Sequence, residues 1–273
     1  MATANNNLDI LTNQELSIQI SLNGLSFCIL SKDTNTITYR KRFELDQRQT
    51  PVLLLDEIKR IFSEEKELQA DFKSVHVIYI NELSTIVPRA LFNKDNLADY
   101  LKFNTKILKT DFIAFDDITI NDSVNIYVPY MNINNYLYER FGEFSYKHYA
   151  TVLIEQILTL EKNAEDQKLY VHVHKHHFEI IVTNKGELIL YNTFDYNTKE
   201  DFIYYILFTA EQLQLNPETI KLIFLGDINE EDACYKITFN YVRHIEFGVP
   251  NYNYNSVHFD RSSHIDFILN HSF

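Results

Sequence analysis

The chain has 273 residues, with 25 basic and 38 acidic side chains and a formal net charge of −13. No Lys/Arg cluster stands out from that acidic background, which argues against direct nucleic-acid binding, because phosphate backbones need concentrated positive charge. Hydrophobic residues make up 45% and charged ones 23%, the balance of a globular chain rather than a disordered one, and two cysteines are too few for a disulfide framework or a thiolate metal site.

Met1–Asn7 reads as a loose tail without the basic flank and apolar core of a signal peptide. Leu16–Leu22 and Leu25–Leu30 are predicted strands around Asn23-Gly24, a dipeptide typical of a two-residue type I′ hairpin. Ile37–Leu45 gives a third strand. Thr50-Pro51 opens a helix whose buried side carries Leu55, Ile58 and Phe62, with proline in the first turn, where its missing N–H removes no helical bond. Val75–Ile80 returns as a strand. Ser84–Leu91 is a predicted strand, Asn93–Lys106 a helix, Phe112–Ile120 an extended segment and Val124–Tyr130 a strand. Asn132–Phe141 is a short helix, and Ser145 is expected to cap a longer one through Leu160, with Tyr149, Leu153 and Ile157 in period.

From Lys168 the first pattern recurs. Tyr170–Val173, Phe178–Val182 and Leu188–Phe194 read as a three-strand meander, with Thr198 and Asp201 suited to a capping box before a helix carrying Phe202, Ile206 and Ala210. Leu222–Leu225 closes the unit as a strand. Leu16, Ile18, Ile20 and Phe27 align with Leu169, Val171, Val173 and Ile180 at a shift of 153; Ile37 and Phe43 align with Leu188 and Phe194 at a shift of 151. Agreement of five elements in type, order and spacing indicates one fold used twice. The boundary is expected between Asn121 and Ser123, giving units 1–122 and 123–273. Beyond Asp227, Asn229–Asp232 is an acidic loop, and Ser262 or Ser263 is expected to cap a last helix through Leu269. Phe202–Phe208, the most apolar stretch, is too short to span a bilayer, so the expected address is cytoplasmic, without membrane insertion.

A hairpin, third strand, helix and strand occurring twice resembles the duplicated ribonuclease-H-like core of the actin, sugar kinase and Hsp70 superfamily. In detail the chain is similar to a bacterial family, domain of unknown function 3822, related to that superfamily. The resemblance spans nearly the whole chain and rests on topology and hydrophobic pattern. It implies an α/β protein with mixed sheets flanked by helices in the manner of the actin-like ATPases. GELILYNTFDYNTKEDF also resembles phrases of pilus and secretion assembly proteins with this fold, which act largely as docking scaffolds.

The resemblance further implies that nucleotide would bind at the two first hairpins, through an Asp followed by Gly and Ser/Thr. Glycines let backbone N–H groups approach phosphate oxygens, and the carboxylate holds Mg²⁺ or its waters. Here Gln19 stands where the first carboxylate belongs, in the run Gln19–Ser26 with Gly24 its one glycine, and His172 replaces the second, in the run His172–Glu179 without glycine. The expectation is loss of ATP hydrolysis. Gly226-Asp227 falls where relatives place adenosine-contacting glycines, and is read as a turn.

His172, His174, His176 and His177 form the most suggestive cluster, since alternate strand residues share a face and His-x-His offers two imidazoles to one ion. A metal site completed by Glu179 or Asp227 is weighed against a solvated or hydrogen-bonded strand face, and the second is favoured. Asp116-Asp117 and Glu230-Glu231-Asp232 are read as solvated loops, and Glu64–Glu67 as the solvated end of a helix. Tyr127, Tyr130, Tyr136, Tyr138, Tyr252 and Tyr254 are candidates for a partner surface. The reading is a non-enzymatic scaffold or adaptor that associates with a protein partner or with itself, with no catalytic, cofactor-binding or metal residue and no cofactor. Two alternatives stay open: an ATP-binding switch using Lys175 and His176, and a metal-dependent enzyme built on the His172–His177 hairpin.

Overall fold

The computed structural model describes residues 13–103, 105–249, 254–256 and 264–273. Its strands are β1 (Gln14–Ser21), β2 (Gly24–Ser31), β3 (Thr36–Glu44), β4 (Ser74–Ile80), β5 (Ser84–Pro88), β6 (Ala114–Ile118), β7 (Ser123–Tyr127), β8 (Ser145–His148), β9 (Gln167–Val173), β10 (His177–Asn184), β11 (Glu187–Asp195), β12 (Lys221–Gly226), β13 (His244–Phe247) and β14 (Asn255–Ser256). The helices are α1 (Pro51–Glu64), α2 (Leu97–Leu101), α3 (Met131–Phe141), α4 (Tyr149–Leu160), α5 (Lys199–Gln212), α6 (Ala233–Phe239) and α7 (Phe267–Asn270). The first mixed sheet has the order β14-β3-β2-β1-β4-β8, the second β11-β10-β9-β12-β13, and β5-β7-β6 form a small antiparallel sheet.

The duplication extends to backbone detail. Gln14 and Gln167 open β1 and β9, and Gly24 and His177 open β2 and β10, at the shift of 153 expected from sequence. Even the ladder irregularity recurs, between Ile29 and Leu30 on β2 and between Val182 and Thr183 on β10. In each unit the first strand, β1 or β9, pairs antiparallel with its hairpin partner and parallel with the strand after the helix.

Each helix sits over its sheet because alternate strand residues point to it. Leu16, Ile18 and Ile20 pack with Leu54, Ile58, Ile61 and Phe62 of α1; Leu169, Val171 and Val173 pack with Phe202, Ile203 and Ile206 of α5. Each such side chain contributes about 1.5–3 kcal/mol on burial. Thr50 caps α1 by accepting from Leu53 N, and Thr198 and Asp201 form the expected capping box on α5. On the other face of the first sheet, Cys28, Leu30 and Ile37 pack with Leu269, joined by Phe273. Buried Ser17 on that face shares a hydroxyl hydrogen bond with Ser272.

Several expectations are corrected. Ser145 begins a strand, not a helix: residues 145–148 pair in parallel with His76–Tyr79, and the helix starts at Tyr149. The helix expected over Asn93–Lys106 is one 3-10 turn followed by Leu97–Leu101, after which Phe103 is 82% exposed and the apolar period no longer meets a core. The first hairpin turns at Leu22-Asn23, with Gly24 already paired to Ser21. A Cβ on Gly24 would lie 2.1 Å from Phe43 O, so β2–β3 pairing is what requires glycine there. The chain divides after Leu153 rather than at 122/123, with 268–273 returning to the first unit. β7 pairs with β5 and β6, and β8 with β4, so a cut at 122/123 would sever three ladders. Met1–Asn7, Tyr252, Ser262 and Ser263 lie outside the described residues. Among the described residues no helix is long and apolar enough to cross a membrane.

Candidate functional site

The two hairpins that the resemblance marks for nucleotide carry polar side chains at equivalent ladder positions. In the first, Gln19 lies directly across from Ser26, and Ser26 Oγ donates to Gln19 Oε1 at 3.2 Å; both are buried. At the tip Ser21 Oγ donates to Gly24 O and accepts from Asn23 N, each at 3.2 Å. These hydroxyl and amide groups are satisfied within the hairpin.

In the second hairpin His172 lies directly across from Glu179, and both are the 153-residue counterparts of Gln19 and Ser26. Glu179 is fully buried and His172 nearly so; His172 Nδ1 is 2.8 Å from Glu179 Oε2. His174 Nε2 approaches the same oxygen at 3.5 Å, while His177 Nε2 lies 3.5 Å from Oε1. The rings of His172 and His174 meet edge to face at 4.5 Å between centroids, and those of His174 and His177 stack at 4.4 Å. Buried charge is costly unless it is paired and hydrogen-bonded, and His172 stands at hydrogen-bond distance from this carboxylate. The tip is anchored from the residue after β11: Tyr196 OH donates to His174 O and Tyr196 N to His176 O. Lys175 and His176 are exposed in the turn, outside the cluster.

Gly226 ends β12 against this hairpin. Its φ is +81°, and a Cβ there would lie 2.3 Å from Val173 O and 3.2 Å from His172 Cδ2. The turn expected at Gly226-Asp227 is present, and its glycine is required by close approach to β9. Asp227 is exposed; its N–H donates to Val173 O.

The remaining sequence candidates have separate surroundings. Glu231 is exposed and paired with Lys236, which holds its carboxyl below the usual range. Asp117 is exposed and paired with Arg89. Asp116 is no loop residue: its carboxylate on β6 accepts from His148 N at 2.8 Å, Thr151 Oγ1 at 2.8 Å and Tyr127 OH at 3.0 Å. Burial nevertheless pushes its pKa up. Glu65 is mostly covered and receives Lys41 and Tyr39 OH instead of facing water. Of the six tyrosines, Tyr127 and Tyr130 are buried, Tyr136 and Tyr254 half-buried, and Tyr138 exposed. The exposed aromatic pair Tyr204 and Phe208, stacked at 5.9 Å on α5, went unnoticed, although their spacing off the apolar face was readable.

Sequence reasoning also missed fully buried His148. Its Nε2–H donates to Asn81 O at 3.0 Å, and Nδ1 accepts from Asn125 Nδ2 at 3.1 Å. Burial pushes its pKa down to about 3, which keeps the imidazole neutral, and the Asn81 carbonyl, which can only accept, fixes this tautomer.

With the geometry in place, comparison with known proteins gives a consistent fold. A family model described as protein of unknown function (DUF3822) matches residues 3–245. Among curated proteins none matches the sequence. A solved Bacteroides thetaiotaomicron protein with an actin-like ATPase fold and unknown function is similar at TM-score 0.79 and 22% identity, covering 92% of this chain and 96% of its own. The PilM–PilN type IV pilus biogenesis complex is similar at TM-score 0.53 and 10% identity, covering 86% of this chain and 88% of the matched one. These likenesses establish the fold and leave the chemistry to the residues.

Proposed function

The chain belongs to the DUF3822 family, and on that premise we propose that it works without catalysis, as a scaffold or adaptor whose actin-like ATPase fold presents surfaces to a protein partner or to a second copy. The observation that carries this reading is the pairing of polar side chains with one another inside both first hairpins. Gln19 with Ser26, and His172 with Glu179, occupy equivalent ladder positions set back from each hairpin tip. Neither Gln19 nor His172 supplies the carboxylate that a magnesium–phosphate site needs. The one glycine of the first hairpin answers to Phe43 O rather than to a ligand.

A protein-binding role accords with one fold-mate: the PilM–PilN structure is a complex of two named pilus biogenesis proteins. The exposed Tyr204–Phe208 pair adds aromatic area of the kind enriched in interfaces. The test uses the untagged full chain. Phosphate release from Mg²⁺-ATP is measured alongside native mass by light scattering and cross-linking in the source cells. The expected result is no phosphate release together with a stoichiometric assembly, of this chain with itself or with one identified protein. A monomeric chain that releases phosphate, and stops doing so on His172→Ala, would overturn the proposal.

A further inference from the structure

We propose that the second hairpin is a divalent transition-metal site of the zinc class, with His172, His174 and Glu179 as ligands. The inference goes beyond the scaffold reading and does not depend on it, because a metal can serve structure or chemistry in either setting. It also reverses the preference for a plain strand face that the sequence alone supports.

The donor set is the first reason. Two imidazoles and one carboxylate are typical zinc ligands, and their ligating atoms here all lie within 4.8 Å of one another. Tetrahedral bonds of about 2.0–2.1 Å place neighbouring ligand atoms about 3.3 Å apart. His174 Nε2 is already 3.5 Å from Glu179 Oε2. His172 Nδ1, at 2.8 Å, stands at hydrogen-bond distance, so coordination requires that contact to open by roughly half an ångström. The neutral ring then carries its proton on Nε2 and presents the Nδ1 lone pair to the ion.

Placement is the second reason. Glu179 is fully buried and His172 is 3% exposed, whereas the His174 side chain is 19% exposed. The ion would be held from inside the hairpin and approached from the tip, leaving a fourth position for water or a partner's ligand. His177 Nε2 lies 3.5 Å from Oε1, beside the other carboxylate oxygen, and is assigned as a positioning residue. Exposed Lys175 stays off the cluster. The backbone is prepared for the site: His172 and Glu179 face each other in a regular antiparallel ladder, and Tyr196 fixes the turn carrying His174.

The experiment strips untagged full-length protein with a chelator, then titrates it with Co²⁺ and Zn²⁺. Bound metal is counted by native mass spectrometry, and Co²⁺ is followed by its ligand-field absorption. One ion per chain is expected, with tetrahedral Co²⁺ bands and no thiolate charge-transfer band. His174→Ala should weaken binding roughly tenfold or more, while the exposed neighbour His176→Ala should leave it unchanged. His177→Ala should weaken it less than His174→Ala and alter the cobalt spectrum. No stoichiometric binding, a thiolate band, or equal losses from His174→Ala and His176→Ala would each overturn the proposal. Should His174→Ala fail to fold, the wild-type stoichiometry and spectrum still decide.

Discussion

The two first hairpins are the same backbone object with opposite chemistry at the same pair of positions. Register, bulge and strand starts coincide at a shift of 153, yet Gln19 and Ser26 make one neutral hydrogen bond, whereas His172 and Glu179 bury a carboxylate beneath further imidazoles. The fold therefore tolerates either solution at this site. A neutral pair is a modest contributor that loses little when removed, at about 0.5–1.5 kcal/mol. A buried acid surrounded by bases has far more to lose, because either partner left alone is an uncompensated polar group in a dry environment.

The comparison is sharpened most by Glu179→Ala. In metal-free protein it should lower stability by about 3–5 kcal/mol, read by urea unfolding; a change under about 1 kcal/mol would mean that the imidazoles do not depend on the carboxylate. Next is Gly226→Ala, which forces a Cβ to 2.3 Å from Val173 O at a φ of +81°. A loss of roughly 2–4 kcal/mol is expected, and because that Cβ also meets His172, Co²⁺ affinity should fall with it.

Acid sensitivity is read at another buried imidazole, outside the hairpins. Burial keeps His148 neutral, with its pKa pushed down to about 3, so as pH falls the unfolded chain takes up this proton first. The stability this neutral imidazole supports is full above about pH 6.5 and declines by about 1.4 kcal/mol per unit towards pH 3. Asp116, with its pKa raised by burial, acts in the opposite sense at the acid end of that window. Unfolding curves at stepped pH should show the decline, and His148→Gln should flatten it; an unchanged slope would assign the acid sensitivity elsewhere. The smallest effect belongs to Ser26→Ala, about 1 kcal/mol, and its excess over Glu179→Ala, if observed, would invert the comparison.

Much of this architecture is legible in the sequence because it is periodic and repeated. Leu16, Ile18 and Ile20 alternate into one face, and Leu169, Val171 and Val173 repeat them. Thr50-Pro51 and Thr198–Asp201 mark helix starts by local chemistry. What is not legible depends on partners distant along the chain. Ser145 before an apolar run looks like a cap, and only pairing with β4 makes it a strand. Asp116 next to Asp117 looks solvated, yet its oxygens meet groups on β7, β8 and α4. For the His-rich hairpin the residues were visible, but not which carboxylate they surround. That choice is made by a register placing His172 across from Glu179 and leaving Asp227 exposed.

The central proposal is that both hairpins pair their polar side chains internally and bind no magnesium nucleotide. The most direct measurement is the melting temperature of metal-stripped full-length protein with and without millimolar Mg²⁺-ATP. No change is the predicted result. A ligand at a hundred times its Kd adds about 2.7 kcal/mol to the native state, so a rise of roughly five degrees or more, abolished by His172→Ala, would contradict the account.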